Sequence, residues 1–140
     1  MYNYLTLCEV EAYGEPTNDL PLVNLVSGRG LPATQSTVGH GGLAFRAIDG
    51  NSNGNWGGAT CTHSGNAGSN HWQVNMLDTK AVSKVVIHNR RDCCQNRIDG
   101  AKVIKYCSLE PVLNDKNEFE IPLEPVLDRR TSYRSEQWYP

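Results

Sequence analysis

Residues 88–100 read His-Asn-Arg-Arg-Asp-Cys-Cys-Gln-Asn-Arg-Ile-Asp-Gly, and this stretch constrains the fold and the function more than any other. Its three arginines include Arg90 and Arg97, and it also holds a carboxylate at Asp92 that can hold one of these two and the adjacent cysteines Cys93 and Cys94. Such a set packs poorly in an apolar core, because buried charges need partners. We therefore interpret the stretch as a binding surface.

The adjacent cysteines are physically awkward. Consecutive Cα atoms lie about 3.8 Å apart across a trans peptide, below the range of roughly 4.4–6.8 Å that is usual for disulfides. A bond between Cys93 and Cys94 would distort the local backbone, and strained backbone concentrates at functional sites. The alternative is a reduced pair, with one thiol buried and the other facing solvent, and the spacing alone leaves both open.

Strand patterns dominate the rest of the chain. Alternating or β-branched segments occur at residues 4–11, 71–76, 82–87 and 101–106, whereas 13 glycines and 7 prolines interrupt any long helical pattern. These patterns predict an all-β sandwich with long loops. The 140 residues fit a single domain.

Composition makes several function classes poor candidates. The formal net charge of −2, with scattered lysines and arginines, gives no basic footprint for nucleic acid or an anionic membrane. No apolar stretch approaches the roughly 18 residues of a membrane helix, and the polar residues 1–4 do not read as a signal peptide, so a leader would precede this chain. Five cysteines predict an oxidising, extracellular compartment, with Cys107 left unpaired.

A second motif, Cys61-Thr62-His63, precedes the arginine stretch, and the two together resemble the F-type lectins, a fucose-binding family. Members of that family carry a Cys-Thr-His step followed by Asn-Arg-x-Asp-Cys-Cys-x-x-Arg-(Ile/Leu)-x-Gly, and both occur here in that order. Residues 5–11, 33–36 and 47–51 are similar to further family landmarks. The resemblance covers most of residues 1–110 and is weak beyond them.

The resemblance implies a discoidin-like β-sandwich, or jelly roll, that binds L-fucose through its 3- and 4-hydroxyls and ring oxygen. The fucose ligands would be His63, Arg90 and Arg97, because a guanidinium offers several donors in a fixed fork. Without the family, the same charges read as a solvated surface cluster.

Four further residues would shape the sugar site. Asp92 shares the face of Arg90 on an extended chain and can orient it. A Cys93–Cys94 disulfide would offer the sugar a flat sulfur surface. Trp56 would form a small pocket for the fucose methyl group, which is worth about 1–3 kcal/mol of discrimination, and His40 is a second candidate for this pocket.

The resemblance also implies a structural calcium ion in the loop that follows residue 45. Ca²⁺ takes 6–8 oxygen ligands, many of them carbonyls. The expected ligands are Glu9, Arg46, Asp49, Asn51, Asn55 and Thr60. The alternative is an ordinary Asp-Gly-Asn turn, which would account for residues 49–51 without a metal ion.

We expect a second disulfide between Cys8 and Cys61. Closing a loop of about 50 residues would stabilise the fold by roughly 4 kcal/mol. The bond would also bring Glu9 to the metal loop and His63 to the arginines. Zinc is a poor alternative for these cysteines, because structural zinc favours ligands spaced as Cys-x2–4-Cys.

The order of segments departs from the family, in which the Leu-Cys-Glu-Val-Glu strand closes the domain rather than opening it. Circular permutation, excision from a tandem array and exchange of the strand between chains are open explanations. We expect a strand that completes the family sheet of its own or a neighbouring chain. The single domain would comprise this closing strand in residues 1–14, a core with both sites in residues 22–110, and C-terminal strands of undefined position in residues 111–140.

These expectations favour a secreted, non-catalytic, calcium-stabilised lectin for fucosylated glycans, acting in cell recognition or innate immunity. A homo-oligomer or a strand-swapped dimer is an open arrangement. We expect no enzyme, because no nucleophile stands beside a base and no pair of carboxylates is placed for glycoside hydrolysis. The alternative is a discoidin-like adhesion module that binds a protein or phospholipid instead of fucose.

Overall fold

Strand β1, Glu9–Gly14, lies at the centre of the main sheet. The computed structural model describes residues 3–15, 21–78 and 80–104, and the backbone of residues 132–134. The other strands are β2 Val23–Asn24, β3 Ala33–Gln35, β4 Trp72–Val74, β5 Lys84–His88 and β6 Ser132–Arg134. Three 3₁₀ helices span Ala44–Ala47, Trp56–Gly58 and Gln95–Ile98.

Two antiparallel sheets organise these strands. Four strands form one sheet in the order β2-β1-β5-β6, and β3 pairs with β4 in the other. The register of the central pair places Glu9 opposite His88 and Val10 opposite Ile87. No α-helix occurs among the described residues, which confirms the all-β prediction and is consistent with a discoidin-like β-sandwich. The described residues also contain no helix long and apolar enough to cross a bilayer.

The core forms around the inward face of β1. Its buried apolar side chains are Leu7, Val10, Ala12, Val26, Ala47, Ile48, Ile87 and Ile98. Alternate residues of an extended chain face the same side, so Val10 and Ala12 enter this core together. The Cys8–Cys61 disulfide is fully buried beside them and ties the start of β1 to the segment that carries His63.

The first predicted strand is shifted, because residues 3–7 lie outside the sheet. Leu5 and Leu7 instead exchange hydrogen bonds with the segment 62–64: their carbonyls accept from the Ser64 and Thr62 N–H groups at 2.9 and 2.7 Å. The Leu5 and Leu7 N–H groups donate to the side-chain hydroxyls of the same two residues, at 2.7 and 3.0 Å. Hydroxyl acceptors replace carbonyls here, so no regular ladder forms.

The strand predicted over residues 101–106 is wrong over its described part, residues 101–104. Residues 101–104 alternate between half-buried and exposed side chains, as a strand would, and Ala101 and Val103 pack on the core. The segment nevertheless pairs with no strand among the residues described. It follows a 3₁₀ helix through Gly100, whose φ of +75° turns the chain before any ladder can start. Residues 105 and 106, Cys107 and most of the predicted C-terminal strands lie outside the described residues.

Candidate functional site

His63 lies at the centre of the predicted sugar site with only 3% of its surface exposed. Its Nδ1 is 2.6 Å from the Ser64 carbonyl oxygen, and its Nε2 is 3.0 Å from Nη1 of Arg97. A carbonyl only accepts and a guanidinium only donates. Nδ1 therefore carries the proton, and Nε2 of a neutral imidazole accepts from Arg97.

The loop 39–43 presses against this histidine from the backbone side. Gly39 N–H donates to the His63 carbonyl at 2.8 Å, and His63 N–H donates to the Gly42 carbonyl at 3.0 Å. A Cβ at Gly42 would collide with the His63 backbone, so only glycine allows this approach. Loop and histidine are thus held as one unit.

Burial lowers the pKa of His63, and the charges of Arg97, His40 and Arg90 lower it further, against the opposing effect of the Ser64 carbonyl. Removing an imidazolium from water and placing it near other cations both disfavour the charged form. His63 is therefore a neutral hydrogen-bonding group rather than a cation around neutral pH.

Arg90 is held by Asp92 and stacks on Trp56. Its Nε and Nη2 donate to the two carboxylate oxygens of Asp92, each at 2.8 Å. The same carboxylate accepts from the Trp56 backbone N–H at 3.2 Å, and the guanidinium carbon lies 5.2 Å from the Trp56 ring centroid. Hydrogen bonding to Arg90 holds the pKa of Asp92 well below its usual range, and the same bonds raise the pKa of Arg90. The carboxylate thus joins the arginine stretch to the Trp56 loop.

The disulfide between Cys93 and Cys94 is formed, and it lies between the two arginines in sequence. Cys94 adopts a left-handed conformation with φ of 59°, which is uncommon for a residue with a side chain. The 3₁₀ helix that carries Arg97 starts directly after it, and the Arg97 N–H donates to the Cys94 carbonyl at 3.2 Å. The turn at the two cysteines therefore brings the second arginine back beside the first.

The aromatic candidates also reach the site. Trp56 approaches the His63 ring edge-on at 5.4 Å, and the exposed His40 does so at 4.9 Å. The structure thus brings the His63, Arg90, Arg97, Asp92, Trp56 and His40 side chains into one cluster. Arg97 joins the two motifs by its contact with His63, and Asp92 links Arg90 to the Trp56 backbone.

Sequence reasoning missed two residues of this site, Tyr4 and Thr6. The Arg97 guanidinium lies 4.9 Å from the Tyr4 ring centroid, and Arg97 Nη1 lies 3.4 Å from the Thr6 hydroxyl oxygen. A signal was available: on an extended chain Tyr4 and Thr6 share the face of Cys8, which was expected to bond Cys61.

The predicted metal loop is shaped by its own asparagines. Four successive side-chain oxygens each accept from the backbone N–H two residues later, at 2.8–3.1 Å. These acceptors are Asp49, Asn51, Asn53 and Asn55. Such Asx turns order a stretch that has no regular ladder. Thr60 closes the loop by donating to the Asn53 carbonyl at 2.5 Å.

Glu9 connects this loop to the sheet. The residue is 1% exposed, its Oε1 accepts from the Gly50 N–H at 3.2 Å, and its buried Oε2 has no hydrogen-bond partner among the residues that the structure describes. Burial raises the pKa of Glu9, and the nearby carboxylate of Asp49 raises it further, while the Ser27 hydroxyl and the Gly50 N–H lower it. A buried carboxylate oxygen with an open coordination position fits a hard cation.

The other expected metal ligands differ in how available they are. Arg46 lies in the 3₁₀ helix that precedes the loop. Because a guanidinium only donates, its backbone carbonyl is the one group that could ligate a metal ion. The carbonyl and side-chain oxygens of Asn55 already accept from Gly58 and Gly57. Among the residues described, no three His, Cys, Asp or Glu side chains cluster around one point. An ion here would therefore rely on amide, hydroxyl and carbonyl oxygens, which suits calcium better than zinc.

Comparison with known proteins agrees with this geometry. Residues 46–110, which include His63 and both arginines, match the family model of the F5/F8 type C, NedA-like galactose-binding domain. Fucolectin-1 of Anguilla japonica is 39% identical over 83 residues, which is 56% of this chain and 47% of the relative. A fucolectin of Anguilla anguilla is 42% identical over 60 residues, covering 43% of this chain and 38% of its own length.

A pentraxin fusion protein of Xenopus laevis is 36% identical over 78 residues, which is 56% of this chain and 19% of that protein. The chain thus spans about half, or less, of the length of these curated relatives. No solved structure matches it. The segment matched by the family model carries both motifs, so this match and the similarity to the fucolectins support the resemblance to the F-type lectins.

Proposed function

We propose that this domain binds L-fucose-containing glycans and catalyses no reaction. The carrying observation is the convergence of two arginines on one neutral histidine, with Arg97 donating to His63 Nε2 and Arg90 stacked on the Trp56 ring that contacts the same imidazole. The similarity to the fucolectins supports the sugar class, and the segment matched by the family model, residues 46–110, contains these residues.

Within the described part of the chain, each arginine keeps donors that could serve a ligand. Arg90 uses Nε and Nη2 for Asp92, which leaves Nη1 for a sugar oxygen, and Arg97 uses Nη1 for His63, which leaves Nη2 and Nε. Neighbouring hydroxyls on one sugar face suit two such forks. The pair is prepared in advance, because Asp92 fixes Arg90 before any ligand arrives.

Apolar contacts would supply the preference for a deoxyhexose. The Trp56 ring lies beside His63, and the Cys93–Cys94 disulfide adds polarizable sulfur next to Arg90 and Arg97. A methyl group placed against such a surface discriminates fucose from a hexose by about 1–3 kcal/mol. His40 would contact the sugar or its neighbour from the exposed side.

A calcium ion in the loop 46–60 is part of this proposal. The support is the unpartnered buried Oε2 of Glu9, which lies near Asp49. Asp49, Asn51 and Thr60, with the Arg46 carbonyl, are the proposed companions. Asn55 would add a further oxygen, since each of its two oxygens accepts one N–H and a carbonyl oxygen has two lone pairs. Bound calcium would secure the loop that carries Trp56.

Alanine variants of the two arginines test the sugar proposal. Arg90→Ala and Arg97→Ala should each remove most binding to a fucosylated glycan array, because each deletes several donors to the sugar. Arg29→Ala is the matched control, since Arg29 is exposed and its side chain donates to the local Asn24 carbonyl, away from the sugar site. Full fucose binding by both site variants would refute the proposal.

A discoidin-like adhesion module is the second candidate, and the match to the broader F5/F8 type C family model favours it. Such a module would bind a protein or phospholipid surface and ignore free sugar. Competition separates the two, because free L-fucose should displace a natural partner only from a lectin. An extracellular location and a multivalent assembly also belong to our proposal, because a weak monosaccharide site gains avidity from multivalency.

A further inference from the structure

Each arginine of the site lies over an aromatic ring, and both rings contact the same histidine. Trp56 lies under Arg90 at 5.2 Å and approaches His63 at 5.4 Å. Tyr4 lies under Arg97 at 4.9 Å and approaches His63 at 5.2 Å. Tyr4 comes from a segment that neither sugar-site motif includes, and its distances to Arg97 and His63 are similar to those of Trp56 to Arg90 and His63.

Arg97 depends on this ring more than Arg90 depends on its own. Asp92 fixes Arg90 with two charge-assisted bonds, whereas Arg97 forms no ion pair within the described part of the chain. Its polar contacts there are neutral: His63 Nε2 at 3.0 Å and the Thr6 hydroxyl at 3.4 Å. Both contacts use Nη1, so they hold only one end of the guanidinium. The rest of the group can still rotate about that end. A ring stacked against its face removes this freedom.

The backbone holds Tyr4 in register with the histidine. The neighbouring Leu5 exchanges two hydrogen bonds with Ser64, the residue after His63, at 2.7 and 2.9 Å. The Cys8–Cys61 disulfide joins the same two segments, and Cys8 lies four residues after Tyr4 in the first segment. Tyr4 therefore cannot shift along the chain direction without breaking contacts that also position His63.

We propose that Tyr4 is a positioning residue of the sugar site, whose ring holds the Arg97 guanidinium so that it donates to His63 and to a sugar hydroxyl at once. This inference rests on the proposed fucose binding. With this role for Tyr4, the segment before β1 is a functional part of the site. The N-terminal segment then does more than supply a strand to the sheet. Tyr4 would act through Arg97 and need not touch the sugar.

Substitutions at Tyr4 test the proposal by calorimetric titration with L-fucose. Tyr4→Leu should weaken binding roughly 3- to 30-fold, the range that a half-buried cation–π pair supports. Tyr4→Phe keeps the ring and should stay within about twofold of the parent, because the ring face attracts the cation. The matched control is Tyr13→Leu in β1, which removes a similar pair with Lys84 Nζ, 5.6 Å from the ring centroid and on a different part of the sheet. It should leave fucose affinity unchanged.

A second measurement needs no sugar. The charge of Arg97 helps to depress the pKa of His63, so an NMR titration of His63 reports where Arg97 lies. The pKa should rise toward that of free histidine in Tyr4→Leu and remain depressed in Tyr4→Phe and Tyr13→Leu. Tyr4→Met supplies another ring-free variant if the leucine variant melts early.

The outcomes separate the two proposals. A parent protein that binds no fucose would refute the proposed function, and the His63 titration would still test the role of Tyr4. A parent that binds fucose, with unchanged affinity and unchanged His63 pKa in Tyr4→Leu and Tyr4→Met, would overturn the positioning role. Equal losses in the phenylalanine and leucine variants would also overturn it, because the phenolic oxygen or general packing would then be responsible.

Discussion

Removing each disulfide in turn should separate stability from binding. Cys8 and Cys61 are 53 residues apart and both fully buried, whereas Cys93 and Cys94 are neighbours. A cross-link stabilises mainly by restricting the unfolded chain, and the restriction grows with the logarithm of loop length. The two bonds should therefore differ sharply in their effect on the free energy of unfolding.

The magnitude follows from the loop length. For a loop of this size the chain-entropy relation gives about 14 cal/mol/K, or about 4 kcal/mol at 25 °C. The Cys8→Ala/Cys61→Ala variant should lose about that much, which corresponds to a fall in melting temperature of roughly 10–20 °C. A bond between neighbours closes almost no loop, so Cys93→Ser/Cys94→Ser should lose about 1 kcal/mol or less.

Urea unfolding and fucose titration of both variants form the assay. We expect the first variant to lose stability, and the second to lose fucose affinity while remaining folded, because the turn at Cys94 places Arg97. A stability loss below about 1 kcal/mol in the Cys8→Ala/Cys61→Ala variant would refute the entropic reasoning. Unchanged fucose affinity in the other variant would refute the role given to the neighbouring pair.

Three further results are expected. Because the pKa of His63 is depressed, its imidazole should stay neutral as the pH falls through the free-histidine value of 6.5, with fucose affinity lost only at lower pH. As the pH falls, the unfolded chain takes up a proton on this imidazole before the folded chain does. The contribution of His63 to the free energy of unfolding is therefore full above pH 6.5 and declines as the pH falls toward the folded pKa. An NMR titration that gives a pKa at or above 6.5 would contradict this. Chelation of calcium should lower the melting temperature, by an amount equivalent to about 2.7 kcal/mol if the ion was present at 100 times its dissociation constant. Glu9→Gln should abolish that response, and a variant that still responds to the chelator would argue against Glu9 as a ligand. Asp92→Asn should weaken fucose binding with little change in melting temperature, since it frees Arg90 and the Trp56 backbone at the surface; unchanged affinity in a titration would show that Arg90 needs no such anchor.

The predictions from sequence were most accurate where the pattern was local. The β5 segment, with three consecutive β-branched residues in Val85, Val86 and Ile87, forms a strand within two residues of its predicted bounds. The pattern over residues 101–104 predicted the wrong element, because such a pattern reports burial and says nothing about a pairing partner; Ala101 and Val103 do pack on the core. The first strand was predicted to start too early because its pattern also says nothing about a pairing partner. At that end the backbone N–H groups donate to the side-chain hydroxyls of Thr62 and Ser64, and no regular strand pairing forms.

The amino-acid sequence by itself determined the all-β class, the two sugar-site motifs and the chemistry of their side chains, because residue types and short spacings carry that information directly. Only the tertiary structure decided that Arg97 donates to His63 across 34 positions, and that Tyr4, 93 positions away from Arg97, stacks on its guanidinium. It also decided that one buried oxygen of Glu9 has no hydrogen-bond partner in the described ranges of the chain. Such contacts depend on how a disulfide, a left-handed turn and a sheet register bring distant segments together, and no spacing within one segment encodes that geometry.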